Sequence, residues 1–171
     1  MTPDFAIRIT CNDCLNGGSQ NMTWIEIEEI LNQDFSEIQD EDGKCLACGK
    51  SNFTVQEWRD DMELFNKVSP TLESAILIAE ILDEIDRKNF DEVAVEAFFT
   101  NWELSQFEHF EDAFIGEQSL LDYATQLLPE LYEIPSKLDM YIDYKKFAND
   151  LEMDILEVRI HSRKFLFNLN Y

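Results

Sequence analysis

The four cysteines of this chain form two C-x2-C pairs, Cys11/Cys14 and Cys45/Cys48, separated by 30 residues. A pair at this spacing presents two thiolates to one ion from a single tight turn. Two such pairs supply the closed tetrahedral set of a structural zinc site. CLACG has the composition of such a turn, and CNDC directly follows a predicted strand. The expected site is one structural zinc per chain, ligated by Cys11, Cys14, Cys45 and Cys48. Two disulfides or a redox dithiol are the alternatives. A cytoplasmic location argues against stable disulfides, and no thioredoxin-like βαβ context surrounds either pair. Zinc with four thiolates keeps a net charge of about −2, so it adds to the acidity of its surroundings. The expected role is a staple for a small unit with little core of its own.

No other constellation reads as catalytic. His109 and His161 are the only histidines, and neither lies in H-E-x-x-H spacing. His109, among Glu108, Glu111 and Asp112, reads as a surface residue. Ser119 reads as a helix cap, because no G-x-S-x-G elbow surrounds it. Phosphate-cradling glycine motifs are absent, and no carboxylate pair stands out as acid and base. The reading is of a non-enzyme. A metal-dependent enzyme built on a carboxylate cluster is a weaker option.

The elements that must position the cysteines and acids follow from periodicity. FAIRIT (5–10) alternates as a strand. MTWIEIEEILNQDF reads as a strand running into a helix, capped by Thr23 with Glu26, and a helix over 24–38 is expected to fill the space between the cysteine pairs. Asp42-Gly43 marks a turn. From Thr54 the spacing of Trp58, Met62, Phe65 and Val68 predicts a helix. SPTLESAILIAEILDEIDRKN predicts another, with Ser69 as cap and Pro70 in the first position. FDEVAVEAFFTNW, a short acidic helix over 107–114, and SLLDYATQLLPEL capped by Ser119 with Asp122 three residues on complete a helical middle. DYKKFANDLEMD predicts a helix, and ILEVRIHSRKFLFNLNY a hairpin turning near Ser162. The predicted class is α+β: a β-containing N-terminal unit (1–57), an acidic helical middle domain (58–104) and a C-terminal α+β domain (105–171).

The chain is 45% apolar with 13 Phe, so it can bury a substantial core despite a net charge of −23. The charge is uneven. Asn89–Ser136 holds eleven carboxylates and no Lys or Arg, whereas residues 137–171 are neutral. Such a field repels nucleic acid and anionic lipid and steers the chain toward basic partners. No apolar run approaches the ~20 residues of a membrane span, and the N-terminus lacks signal-peptide composition, so a cytoplasmic protein is expected. Absence of cations over 48 positions argues for a functional field. One acidic helix cannot copy a duplex, however. DNA carries one charge per ~1.7 Å of axis, and eleven acids over 43 helical residues give one per ~6 Å. Mimicry therefore demands several acidic elements together and self-association.

At this point a resemblance enters. Ile134–Asp154, IPSKLDMYIDYKKFANDLEMD, resembles the C-terminal signature of the ArdA antirestriction family. Pro135, Leu138, Tyr141, Ile142, Asp143, Tyr144, Ala148, Asp150 and Leu151 stand in the corresponding places. FEDAFIGEQSLLDYATQLL is similar to the family's acidic aromatic segment, and NGGSQNMTWIEIEEI to its N-terminal loop leading to a Trp. The resemblance implies an elongated three-part dimer that mimics bent duplex DNA. It also implies occupancy of the DNA-binding groove of a type I restriction–modification enzyme, blocking DNA binding and cleavage, and carriage on a mobile element or phage. The expected phosphate mimics are Glu80, Asp83, Glu84, Asp86, Asp91, Glu92, Glu96, Glu103, Glu108, Glu111, Asp112, Glu117 and Asp122. Tyr141, Asp143 and Tyr144 are expected in domain packing or the dimer contact. The paired C-x2-C motifs depart from the family pattern, so the N-terminal unit is either a zinc-stabilised version of the usual one or a different module. The alternative function is a zinc-ribbon acidic adaptor that binds a basic protein without copying DNA.

Overall fold

In the computed structural model the chain folds as α+β. Among the described residues it holds seven α-helices and two three-stranded antiparallel sheets. The structure describes residues 4–171 apart from Gln20 and Ser136, and of Asp139 the backbone alone. Gln20 of the NGGSQN loop thus lies outside them. Two compact units divide the chain, Met1–Phe90 and Asp91–Tyr171.

Unit 1 is built on β1, Phe5–Cys11, whose residues are buried except for half-buried Arg8. A strand buried on both faces must sit between partners, and β1 takes the centre of a three-stranded sheet between β2 (Met22–Glu26) and β3 (Phe53–Asp60). The short helix α1, Asn12–Asn16, leaves its end. β2, Met22–Glu26, runs directly into α2, Ile27–Leu31. The cap is a Glu26/Glu29 capping box, not Thr23 with Glu26, and the helix is much shorter than 24–38. Ladder pairing from Ala6↔Glu26 to Thr10↔Met22 holds the first part of that stretch extended. Residues 32–52 run as turns and loops, anchored by fully buried Ile38 and a Gln39↔Cys45 bridge. Asp42-Gly43 turns as expected, with Gly43 at φ 71°.

β3, Phe53–Asp60, overturns the helix expected from Thr54. The open edge of β1 takes it up, from Phe5↔Asp60 to Cys11↔Phe53. Trp58 and Phe65 still meet, with ring centroids 5.1 Å apart, because the chain turns at Asp60–Glu63 into a 3-10 turn at Leu64–Lys67. Helical spacing was thus satisfied by a strand and a turn. α3, Leu72–Lys88, is the expected long helix. Its cap is Thr71, whose Oγ1 accepts the Ser74 N–H at 3.1 Å, rather than Ser69. Ala75, Ile78, Ala79, Leu82 and Ile85 are buried, and Glu73, Glu80, Asp83 and Asp86 lie on the exposed face.

Unit 2 begins with α4, Glu92–Phe98. A 3-10 turn at Leu104–His109 leads into α5, Phe110–Ala113, and β4, Phe114–Glu117. The acidic helix expected over 107–114 is therefore one piece of 3-10 helix and one turn of α-helix. The strand after it is an addition to the sequence reading. α6, Leu120–Leu131, is capped by Ser119, whose Oγ accepts the Asp122 N–H at 3.1 Å, as expected. α7, Tyr144–Leu151, is capped by Asp143. β5, Ile155–Ile160, and β6, Arg163–Asn168, form the expected hairpin. His161 turns it at φ 53°. The sheet order is β4-β6-β5.

The core of unit 2 is aromatic. Phe98, fully buried, stacks on Trp102 at 4.7 Å and meets Phe99, Phe110 and Phe167 at 5.5–5.9 Å. Leu120, Ala124, Ala148, Ile155 and Leu166 form a second cluster between α6, α7 and the sheet. Among the described residues, no helix is long and apolar enough to cross a membrane.

Candidate metal centre and acidic surface

The end of β1 delivers Cys11, and α1 delivers Cys14 one helical turn later. Cys45 and Cys48 come from a tight turn in which Gly49 N–H donates to the Cys45 carbonyl and Cys45 N–H to the Lys50 carbonyl, both at 2.8 Å. Gly49 sits at φ 71°, a backbone that a glycine adopts without cost. All four Sγ atoms lie within 4.8 Å of one another. The pairs Cys11–Cys48 and Cys14–Cys45 stand at 3.5 and 3.6 Å. A tetrahedron of thiolates around zinc at ~2.3 Å has an edge of about 3.8 Å. The four expected ligands thus form one pocket of metal-binding size, and the thiols are not disulfide-bonded.

The surroundings of the cluster are polar and ordered. Asn21 Nδ2 donates to Cys45 Sγ at 2.9 Å. Burial works to raise the Cys45 thiol but is outweighed by N–H groups of Ala47 and Cys48 and by Asn21, which bring its pKa down to about 6. The Cys14 thiol is pushed up, first by its hydrogen bond with Cys48 and then by burial. Four neighbouring thiols cannot all ionise together without a cation between them. Lys50 Nζ reaches Asp13 Oδ1 at 3.1 Å and ties the two motifs from outside. Asn12 N–H donates to the Asn52 carbonyl at 2.8 Å. Sequence reasoning missed Asn21, Asp13 and Lys50 as supports, since their partners are fixed only once β1 and the 45–50 turn are neighbours.

The acids are spread over both units, −12 in residues 1–90 and −11 in 91–171. Of the thirteen expected phosphate mimics, all are exposed except half-buried Glu84. Their neutralisation differs. On α3, Asp83 pairs with Arg87 at 3.8 Å and Glu84 with Lys88 at 2.8 Å. Glu80, Glu92, Glu96 and Asp112 have no cation within ion-pair distance among the described residues. Glu103 caps the 3-10 turn after it. Glu108 lies 3.7 Å from His109, whose ring packs on Tyr171. Asp122 accepts from Ser119.

Asp91 and Glu117 stand apart. Arg163, from the start of β6, reaches both, at 2.5 and 2.7 Å, while its guanidinium lies 4.9 Å over the Phe165 ring. Hydrogen bonds from Arg163 hold both carboxyls below their usual range. Asp91 also caps α4 through Val93 N–H at 2.9 Å and Ala94 N–H at 3.2 Å. Arg163 carries no local sequence signal, because its partners are 72 and 46 residues away.

Of the expected contact residues, Tyr141 is 78% exposed, Asp143 Oδ1 accepts the Lys146 N–H at 3.0 Å to cap α7, and Tyr144 is half-buried. Leu131, Tyr132, Leu138 and Met140 are exposed in the same stretch.

No curated protein matches the sequence. The antirestriction protein family ArdA matches residues 7–161, all but the first six and last ten positions. All nine signature positions around the YIDY element, and the acidic aromatic segment, fall inside that span. The chain belongs to the ArdA antirestriction protein family.

Proposed function

We propose that this chain performs its family's antirestriction function as an acidic DNA mimic. It occupies the DNA-binding groove of a type I restriction–modification enzyme and blocks DNA binding and cleavage. The observation that carries this reading is the set of exposed carboxylates left without cations on ordered elements, Glu80, Glu92, Glu96 and Asp112 foremost. Fixed charges on helices present a field without first losing side-chain and backbone freedom, and a phosphate-binding groove rewards that. Asp83, Glu84, Asp86, Glu103, Glu108, Glu111 and Asp122 extend the field. We assign Asp91 and Glu117 to the frame, since Arg163 already neutralises them. The action needs no catalytic group. The thiol cluster and the nature of the target fit the cytoplasm, and blocking restriction suits carriage on a mobile element or phage.

The charge density of a duplex asks for more than one acidic element and an elongated arrangement. A homodimer meeting through the neutral 137–171 region supplies both. Its exposed Met140 and Tyr141, each 78% accessible, are suited to the contact.

We assign the metal as one structural zinc per chain, held by Cys11, Cys14, Cys45 and Cys48. The metal supplies the cross-link that residues 32–52 lack. Without regular structure over that length, a loop needs an anchor of its own. Metal analysis of protein purified without chelator tests this: one zinc per chain is expected, and iron or no metal refutes it.

A second reading, a zinc-ribbon adaptor for a basic protein, is favoured by Leu15 and Leu46. Each follows a cysteine and is 44% and 58% exposed. Competition separates the two. Protein is titrated into a type I enzyme bound to labelled specific duplex at two salt concentrations. Displacement that weakens as salt rises is the expected result. Binding alongside the duplex, without displacement, refutes mimicry in favour of the adaptor.

A further inference from the structure

The four thiols are unequal in one respect that a structural zinc site does not require. Cys11, Cys14 and Cys45 are buried, while Cys48 is exposed. Its sulfur lies 3.5 Å from that of Cys11, across the two motifs. The remaining two, Cys14 and Cys45, face each other across the motifs at 3.6 Å inside the fold.

We infer that Cys48 is an oxidation-sensitive modification site, and that peroxide converts the metal centre into cross-motif disulfides in a fixed order, Cys11–Cys48 first and Cys14–Cys45 second. The inference rests on the zinc assignment above. Susceptibility of a thiolate to peroxide follows its thiolate character and its exposure. A zinc-bound thiolate has the first property at all four positions, so exposure decides, and Cys48 is reached first.

The chemistry balances with hydrogen peroxide as oxidant. The Cys48 sulfur attacks one peroxide oxygen, the O–O bond breaks, and hydroxide leaves and is protonated to water. The product is a sulfenic acid at Cys48. The Cys11 thiolate then attacks that sulfur, the S–O bond breaks, and the oxygen departs as a second water after protonation. Two thiolates, one peroxide and two protons give one disulfide and two waters. The two sulfurs must close from 3.5 Å to about 2.05 Å. A zinc ion held by the four thiolates would then be left with Cys14 and Cys45 alone as protein ligands and would dissociate. A second peroxide repeats the sequence at Cys14 and Cys45.

This order has a structural consequence. Both disulfides join the 11–14 segment to the 45–48 turn, so the covalent bonds replace the cross-link that zinc provided. Disulfides within either motif would instead leave the 32–52 loop untethered. Oxidation by this route exchanges one staple for another, and a dithiol reductant with added zinc reverses it.

The test uses the full chain with its metal content measured beforehand. Absence of zinc at that stage refutes the zinc assignment and not the order of oxidation, which the same thiol mapping then reads on the metal-free protein. One equivalent of hydrogen peroxide is added, zinc release is followed with a chromogenic chelator, and disulfides are mapped by alkylation and mass spectrometry. The expected result is a Cys11–Cys48 bond with release of the ion, then Cys14–Cys45 at two equivalents. Limited proteolysis is expected to spare residues 32–52 in the oxidised protein and to cut them in reduced, chelator-treated protein. Bonds within a motif, first modification at Cys14 or Cys45, or four intact thiols under tenfold excess of peroxide each overturn the proposal.

Discussion

Glu96 offers a substitution whose effects on stability and on function run in opposite directions. It is exposed on α4, four residues after exposed Glu92 and two before the last residue of the helix. Two carboxylates at i,i+4 repel by about 0.2–0.5 kcal/mol. A negative charge in the last helical turn also opposes the helix dipole, by about 0.3 kcal/mol at the low end that suits a seven-residue helix. Glu96→Gln removes both effects without changing side-chain size, so the folded state gains roughly 0.5–0.8 kcal/mol. If unit 2 melts by itself, its 81 residues convert this to a rise of about 2–6 °C in Tm. If the whole chain melts in one transition, the rise is about 1–3 °C. Differential scanning calorimetry at low salt reads the change, and added salt shrinks it by screening the repulsion. Duplex displacement by the same variant weakens by up to about fivefold, the value of one exposed ion pair. A Tm that falls, or that rises equally at high salt, refutes the electrostatic argument. A higher Tm with an unchanged displacement curve, repeated in a variant that also carries Glu80→Gln, Glu92→Gln and Asp112→Asn, removes the mimic reading of these carboxylates.

Arg163→Gln destabilises unit 2 at neutral pH, because Asp91 and Glu117 lose their shared cation. Both carboxyls are depressed in the folded state, so their contribution is complete above the unfolded values of about 4 and is lost as pH falls through the lower folded values. Urea melts should therefore show a gap between parent and variant that is constant above about pH 5 and closes below pH 4; a gap that widens on acidification refutes the clasp. Phe98→Ala empties the centre of the aromatic cluster and costs about 3–5 kcal/mol, enough to leave unit 2 largely unfolded by near-ultraviolet circular dichroism at 37 °C. Ser119→Ala removes the α6 cap and costs about 1 kcal/mol in the same measurement by denaturant.

What could be read in the sequence was whatever depended on neighbours in the chain. α3 and α6 carry their apolar faces within 20 residues, α6 its cap as well, although the α3 cap is Thr71 and not the expected Ser69, and the 155–168 hairpin carries its alternation and turn together. The four cysteines were readable as one site because C-x2-C spacing is itself a ligand geometry. The strand β3 was not readable, since Trp58, Phe65 and Val68 satisfy helical spacing equally well. Its extended state is decided by the open edge of β1, some 50 residues earlier. β4 was hidden for a related reason. Four residues, FIGE, become a strand only because β6 passes beside them, with Phe114↔Phe167 and Glu117↔Phe165 in register. The charge of the 89–136 stretch was plain from composition. The fact that Asp91 and Glu117 are neutralised was not, because their cation lies outside it at Arg163.

That last point bears on why the lysines are missing. If the acidic stretch were only a solvated face, scattered cations would be the simple way to relieve it, as Arg87 and Lys88 do for Asp83 and Glu84 at the end of α3. Unit 2 instead brings in one arginine from β6 and spends it where structure needs it, on the α4 cap Asp91 and on β4 at Glu117. Its neighbours Glu92 and Glu96 are left bare. Stability comes from beneath, where Phe98, Phe110 and Phe167 are buried on the far side of the same short elements, each worth roughly 1.5–3 kcal/mol of burial. Repulsion at one i,i+4 pair is several times smaller. The alternation of acids with aromatics along Phe90–Phe114 therefore has a direct reading: each element turns an aromatic inward to hold the fold and a carboxylate outward to shape the field. If these carboxylates act as the proposed mimic, adding a lysine within 89–136 strengthens the fold while weakening duplex displacement, and a lysine variant that gains stability with no loss of displacement refutes it.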